Sequence, residues 1–108
     1  MGPKAPKRSV LTPAEEAIVV AFLQKRLPPL DAFKPEMIFI SAGFDAHRDD
    51  DMGQLGLVEQ DYAWITSRIK DVAKRHSKGR IVSSLEGGYN LHALARSVEA
   101  HIRVLADL

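Results

Sequence analysis

Two short apolar runs, each ending at a glycine-containing turn, constrain the fold of this chain more than any other feature. The first is 37–40 (MIFI), which lies between Pro35 and Gly43, and the second is Ile81–Leu85, which is followed by a Glu-Gly-Gly turn. Continuous apolar runs of this length are typical of strands buried on both faces of a parallel sheet. We therefore predict two such strands.

The segment between the two runs has helical periodicity. From Val58 to His76 its apolar residues recur at helical spacing, at Val58, Tyr62, Ile65, Ile69 and Val72. A strand, a helix and a second strand of these lengths close as a right-handed crossover, so the two strands are parallel. Their carboxyl ends then lie on the same side, and the loops that begin at Gly43 and Glu86 face one site.

Two further helices are predicted outside this unit. Thr12 has capping-box spacing to Glu15, which predicts a helix from about Pro13 to Arg26 that ends at two prolines; residues 30–35 are then a connection. A last helix follows Asn90, with its apolar face formed by Leu91, Leu94, Val98, Ile102 and Leu105. The predicted fold class is α/β, in the order helix, strand, helix, strand, helix, with a short parallel sheet.

Composition narrows the function classes. A chain of 108 residues suits one small domain, and we expect a flexible basic leader over 1–11 and a single domain over 12–108. The net charge of +1 gives no argument for nucleic acid, and no apolar run is long enough for a membrane span. The absence of cysteine excludes disulfides and fits a cytoplasmic protein.

The first loop carries a possible metal ligand pair. Asp45 and His47 are two residues apart, and carboxylate and imidazole groups suit Zn²⁺ and similar ions. The alternative is an Asx-turn at Asp45 with His47 on the surface. The acidic run 49–51 does not fit the EF-hand spacing, so a solvated acidic loop is the better interpretation.

The second loop offers a phenol. Gly87 and Gly88 permit close backbone approach, and Tyr89 follows them, either as a packed tyrosine or as a donor to a developing oxyanion. Glu86 is either a ligand or base, or a brace for the loop. We place His76, His92 and His101 at the surface or an interface, and Trp64 in packing.

Together these motifs resemble a known family. The stretches 40–47 (ISAGFDAH), 50–57, Asp61-Tyr62 and 85–90 (LEGGYN) resemble the carboxyl-terminal part of the zinc-dependent histone deacetylase superfamily, which includes acetylpolyamine amidohydrolases, acetoin-utilization-type proteins and histone deacetylase-like amidohydrolases. The resemblance covers about 31–105 and implies an arginase/deacetylase-like fold.

The resemblance implies roles for individual residues. Asp45 matches a zinc ligand, and Tyr89 matches the tyrosine that polarises the acetyl carbonyl and stabilises the tetrahedral intermediate. Met52 matches an apolar wall of the acyl-lysine tunnel, while Gly87 and Gly88 match the loop beside the site. The substrate implied is an acetylated amine, such as acetyl-lysine or an acetylpolyamine.

The sequence also departs from the family pattern. The family's Asp-x-His ligands and its catalytic histidine pair have no counterpart here, since no histidine precedes His47. We therefore expect the chain alone to be catalytically incomplete and to bind zinc weakly or not at all. The alternative is a non-catalytic remnant that self-associates or binds a partner, and either way open sheet edges predict a homo-oligomer. In addition, Val58 stands where the family has a capping threonine.

Overall fold

A computed structural model describes residues 21–49 and 56–108 of the chain. A π-helical turn at Phe22–Arg26 continues into helix α1 (Leu27–Phe33). Strand β1 (Ile38–Ala42), helix α2 (Glu59–His76), strand β2 (Ile81–Leu85) and helix α3 (Leu91–Leu105) follow. The predicted leader, the predicted helix start at Thr12 and the tunnel residue Met52 lie outside the described residues.

The two strands form a parallel two-stranded sheet, as the crossover pattern predicts. They pair in register from Ile38 opposite Ile81 to Ala42 opposite Leu85, and α2 connects them. The predicted α/β fold class is therefore confirmed. Both strands end on the same side of the sheet, where the loops at Gly43 and Glu86 begin.

The prediction that both strand faces are buried was wrong for the described part of the chain. Helices α2 and α3 pack against each other, and Ile38 and Ala42 of β1 are buried in the core. On the opposite face Phe39 is 73% exposed and Val82 is 47% exposed, because no described helix covers that face. The core consists of one cluster with Ala42, Phe44, Leu57 and Tyr62 and another with Ile38, Val72 and Ala73.

The predicted helix end at Arg26 coincides with the end of the π-helical turn, but the prediction of a connection over 30–35 was wrong for residues 30–33, which are helical. Pro28 and Pro29 occupy the first positions of α1, which runs on to Phe33. The backbone N–H groups of the first helical turn have no acceptor within the helix, so proline, which lacks this group, is tolerated there. The φ angle of proline is also close to the helical value. The helix ends at Lys34, which has a left-handed conformation with φ 55°.

Helix α3 buries a different stripe from the apolar one that its sequence suggests. Its buried residues are Ala93, Ser97 and His101, whereas Leu91 is 75% exposed and Ile102 is 51% exposed. Small and hydrogen-bonded side chains let α3 approach α2 closely, and Leu94 and Val98 pack at the side of that contact. None of the described helices combines the length and the apolar character that crossing a membrane requires.

Candidate functional site

The loops that leave the two strands are hydrogen-bonded to each other. The Glu86 N–H donates to the Ala42 carbonyl at 2.9 Å, and the Phe44 N–H donates to the Gly87 carbonyl at 2.7 Å. These bonds continue the parallel pairing beyond the strands, so the two loops run side by side at one edge of the sheet.

Asp45 lies against the glycines of both loops. A Cβ atom built on Gly87 would lie 3.4 Å from Asp45 Cγ, and one built on Gly43 would lie 3.5 Å from Asp45 Oδ1. Both distances are ordinary van der Waals separations, so the carboxylate packs beside the glycine of each loop. Asp45 is also exposed, so its oxygens are accessible to a ligand.

Gly88 constrains the turn before Tyr89. Its φ of +147° is rarely adopted by residues with a side chain, and a Cβ there would lie 2.6 Å from Leu94 Cδ1. Tyr89 is 62% exposed. Directly after it, Asn90 Oδ1 accepts a hydrogen bond from the Ala93 N–H at 2.9 Å and caps α3. The tyrosine thus sits between a constrained glycine and a capped helix.

His47 is buried, which contradicts the alternative that it lies on the surface. Its side chain is 1% exposed. Its Nδ1 accepts the Asp49 N–H at 3.0 Å, and its Nε2 lies 3.2 Å from Glu59 Oε1. Since Nδ1 accepts, the proton is on Nε2, which donates to the Glu59 carboxylate. Both ring nitrogens are engaged, so His47 has no lone pair directed at a metal.

A charged cluster adjoins His47. Arg96 of α3 donates to Glu59 Oε1 through Nε and to Asp49 Oδ2 through Nη2, the latter at 3.0 Å. Burial alone would raise the pKa of the Glu59 carboxyl, but hydrogen bonds from Arg96, from its own backbone N–H and from His47 outweigh it and lower the pKa to about 2. Glu59 is therefore ionised at neutral pH. No sequence motif links residues this far apart, so the cluster could not be predicted from the sequence.

His101 was also predicted at the surface or an interface, and it is 6% exposed. Its Nδ1 donates to Thr66 Oγ1 at 2.8 Å, because that hydroxyl already donates to the Tyr62 carbonyl. Its Nε2 accepts from Ser83 Oγ at 2.8 Å. Burial lowers the pKa of His101, which keeps the ring neutral. The spacing of Ala93, Ser97 and His101 on one helix face was the sequence signal that His101 is buried.

The other two helical histidines are more accessible. His76 is half-buried and bonds Asp31, and His92 is exposed.

Among residues 21–49 and 56–108, no group of three or more His, Cys, Asp or Glu side chains is arranged to hold a metal ion. Asp45 offers one carboxylate, while a catalytic zinc needs three protein ligands. The described residues alone thus do not form a complete zinc site. Glu86 contributes its backbone N–H to the loop pairing, and its side chain is exposed. The structure therefore brings together Asp45, Gly87, Gly88 and the turn that carries Tyr89.

Comparisons with known proteins agree with this arrangement. The sequence profile of the histone deacetylase domain matches residues 9–105. Type-2 histone deacetylase 2 of Dictyostelium discoideum is 47% identical over 89 residues, which are 80% of this chain and 5% of that protein. Histone deacetylase-like amidohydrolase of Pseudomonas aeruginosa is 35% identical over 75 residues, which are 69% of this chain and 20% of that protein.

Solved structures give the same result. The crystal structure of the HDA15 HD domain superposes with a TM-score of 0.76 and 36% identity, over 84% of this chain and 25% of that one. The histone deacetylase Clr3 superposes with a TM-score of 0.74 and 32% identity, over 84% of this chain and 15% of that one. The chain thus spans a small part of each protein it matches. With the histone deacetylase domain matched over residues 9–105 and a type-2 histone deacetylase 47% identical over 80% of this chain, the chain belongs to the histone deacetylase family.

Proposed function

We propose that this chain forms the part of a zinc-dependent deacetylase site that carries Asp45 and Tyr89, and that the reaction is hydrolysis of an acetylated amine such as acetyl-lysine or an acetylpolyamine. The observation that carries the proposal is the packing of the Asp45 carboxylate against Gly87. Because Tyr89 follows Gly87 and Gly88 in the second loop, this packing supports a site that a carboxylate from the first loop and a phenol from the second would share.

Each of the two residues has a distinct task in this proposal. Asp45 supplies one carboxylate ligand to a zinc ion whose other ligands lie outside the described residues, and the ion supplies Lewis-acid chemistry when bound. Tyr89 donates a hydrogen bond from its phenol to the oxygen of the acetyl group as negative charge develops there. Its exposure of 62% leaves the phenol within reach of a substrate.

The chain by itself is catalytically incomplete in this proposal, because Asp45 is a single ligand. We expect the purified 108-residue protein to release no acetate from an acetyl-lysine peptide or an acetylpolyamine with Zn²⁺ present. We expect calorimetry to show only weak Zn²⁺ binding. Zinc-dependent, inhibitor-sensitive hydrolysis by the pure chain would contradict this.

A chimaeric enzyme tests the roles of Asp45 and Tyr89 directly. In it, the 75 matched residues of the Pseudomonas aeruginosa amidohydrolase are replaced by the corresponding residues of this chain. We expect the chimaera to be active. Tyr89→Phe should lower its rate of acetate release by about 100-fold or more, and Asp45→Asn should abolish its zinc binding. Glu99→Gln, which alters an exposed pair with Arg103 on α3, is the control and should keep activity. A folded chimaera that Tyr89→Phe leaves fully active would contradict the role of the tyrosine.

A second candidate function is a self-associating module, and the exposed surface of β2 favours it. Four of the five β2 residues are exposed, and a cavity of about 310 Å³ beside the strand is lined by Leu85, Ile102 and Leu105 among others. An open strand edge next to an apolar groove is a site for pairing with another strand. Light scattering on the pure chain should then show a homo-oligomer that Leu85→Lys dissociates, and a monomer at high concentration would exclude it.

A further inference from the structure

We infer that His47 is a positioning residue: through Glu59 and Arg96 it fixes the loop that carries Asp45 to the helix that begins behind Tyr89. The inference rests on the proposed function in one respect, namely that Asp45 and Tyr89 are the working groups. The contacts that carry it form a closed polar ring of four residues, His47, Asp49, Glu59 and Arg96, which we call the polar ring.

Each step around the polar ring is a hydrogen bond. The Asp49 N–H donates to His47 Nδ1 at 3.0 Å, and His47 Nε2 donates to Glu59 Oε1 at 3.2 Å. Arg96 Nε donates to the same Glu59 oxygen, and Arg96 Nη2 returns to Asp49 Oδ2 at 3.0 Å. The ring therefore joins the first loop, the start of α2 and the middle of α3.

The loop that carries Asp45 is held on both sides by this arrangement. On one side, Asp45 packs against Gly87. On the other, the Arg48 N–H donates to the Leu57 carbonyl at 2.8 Å and the Leu57 N–H donates to the Ala46 carbonyl at 3.0 Å. His47 lies between these backbone bonds with its ring 1% exposed, so its orientation and that of the Asp45 backbone are coupled.

Arg96 connects the ring to the tyrosine. It lies on α3, which starts at Leu91 directly after Tyr89 and the capping Asn90. A movement of the Asp45 loop relative to α3 would break the charge-assisted bonds of Arg96, which are stronger than neutral ones. The ring therefore sets the distance between the carboxylate loop and the phenol turn.

The chemistry of the ring suits positioning better than catalysis or packing alone. Arg96 bonds two carboxylates from different elements with its planar guanidinium, a geometry that lysine does not reproduce. None of these contacts joins His47 or Arg96 to the Asp45 carboxylate. Both act through the loop, which makes them positioning residues.

Nuclear magnetic resonance on the full chain, without metal or substrate, tests the inference. Arg96 is about half exposed, so Arg96→Gln should fold. We expect it to shift the amide signals of Gly43 and Gly87 and the Cγ signal of Asp45, and to lower the exchange protection of the Arg48 and Leu57 amides about tenfold.

Matched variants separate positioning from a general loss of stability. Arg103→Gln removes an arginine that pairs with Glu99 on the same helix, and it should leave the Asp45, Gly43 and Gly87 signals unchanged. His47→Leu should shift the same signals as Arg96→Gln does. His47→Gln should leave them nearer to their positions in the natural chain, because the glutamine N–H₂ can reach Glu59. If Arg96→Gln shifts these signals no more than Arg103→Gln does, the inference is wrong, whatever happens to His47→Leu.

The result of these nuclear magnetic resonance measurements does not depend on whether the proposed function is right. The readouts report the position of the loop and need no acetylated substrate, so an inactive chimaera would overturn the proposed function and leave these results standing. Unchanged signals in Arg96→Gln together with an active chimaera would overturn the positioning role alone.

Discussion

Ser97 and Ser77 are two fully buried serines that differ in hydrogen bonding. Ser77 Oγ donates to the Pro35 carbonyl, whereas Ser97 Oγ has no hydrogen-bond partner among the described residues. A buried hydroxyl without a partner costs free energy. We expect Ser97→Ala to leave the free energy of unfolding unchanged or to raise it by up to about 1 kcal/mol, and Ser77→Ala to lower it by about 1–2 kcal/mol. Urea denaturation measures both, and a larger loss in Ser97→Ala than in Ser77→Ala would contradict the assignment.

Glu59 predicts a pH dependence of stability. Its pKa is lowered from 4.5 to about 2 in the folded chain, as burial opposes but does not overcome the bonds from Arg96 and His47. A carboxyl whose folded pKa lies below its unfolded value stabilises the fold above the unfolded pKa, and this contribution is lost as the pH falls through the folded pKa. We expect stability to fall from about pH 4.5 towards pH 2.

The variant Glu59→Gln isolates this contribution. It should lower stability at pH 7 and show a smaller decrease between these pH values than the natural chain. Glu99→Gln, which alters an exposed pair with Arg103, is the control and should change the pH profile little. Parallel pH profiles for Glu59→Gln and the natural chain would contradict the assignment.

Which polar residues are buried could not be predicted from the sequence. His47 and His101 are surrounded by partners distant in the chain: Glu59 for one, Thr66 and Ser83 for the other. A histidine on a loop or helix is exposed by default, and only tertiary hydrogen bonds reverse that preference. By contrast, the need for a glycine at position 88 was predictable from the double glycine, and the structure bears it out: its φ is +147° and a Cβ there would lie 2.6 Å from Leu94 Cδ1.

At the level of elements, the start of α2 is incompletely capped. Val58 has N-cap geometry, with φ −123° and ψ 174°, but no side-chain cap. Asp61 Oδ2 already accepts the Val58 N–H at 3.0 Å, which is one half of a capping box. We expect Val58→Thr to raise the free energy of unfolding by at most about 1 kcal/mol, because its hydroxyl adds a second acceptor for the Asp61 N–H, which already donates to the Val58 carbonyl at 3.0 Å. Thermal unfolding measures this change. Val58→Ala, which adds no cap and loses buried methyl groups, should lower the free energy of unfolding. Equal loss in both variants would contradict the capping argument.

Helices α2 and α3 were predictable as elements from their helical periodicity, and the start of α3 from its cap, where Asn90 Oδ1 accepts the Ala93 N–H. The apolar periodicity did not predict which stripe α3 buries, because that stripe is formed by Ala93, Ser97 and His101. Helix α1 was not predictable, because proline has two opposite meanings in a helix. It ends a helix from within and begins one at the first turn. Only the position of Pro28 and Pro29 at the start of Leu27–Phe33 resolves the ambiguity.

For the whole molecule, the crossover unit could be derived from two apolar runs and one helical pattern. The degree of burial could not, because it depends on what covers the sheet. Phe39 and Val82 have the residue types of a covered face but are exposed among the described residues. The chain spans only 25% of the HDA15 domain on which it superposes. The apolar residue types of Phe39 and Val82 fit a sheet face that further structure covers.

The central claim is that the two strand-end loops form one site, with Asp45 against the Gly87-Gly88-Tyr89 turn. Nuclear Overhauser contacts in the 108-residue chain test it most directly. We expect cross-peaks between the Hβ protons of Asp45 and the Hα protons of Gly87, because a Cβ on Gly87 would lie 3.4 Å from Asp45 Cγ. A folded chain in which the Gly87 Hα protons show contacts only within their own loop would contradict the claim.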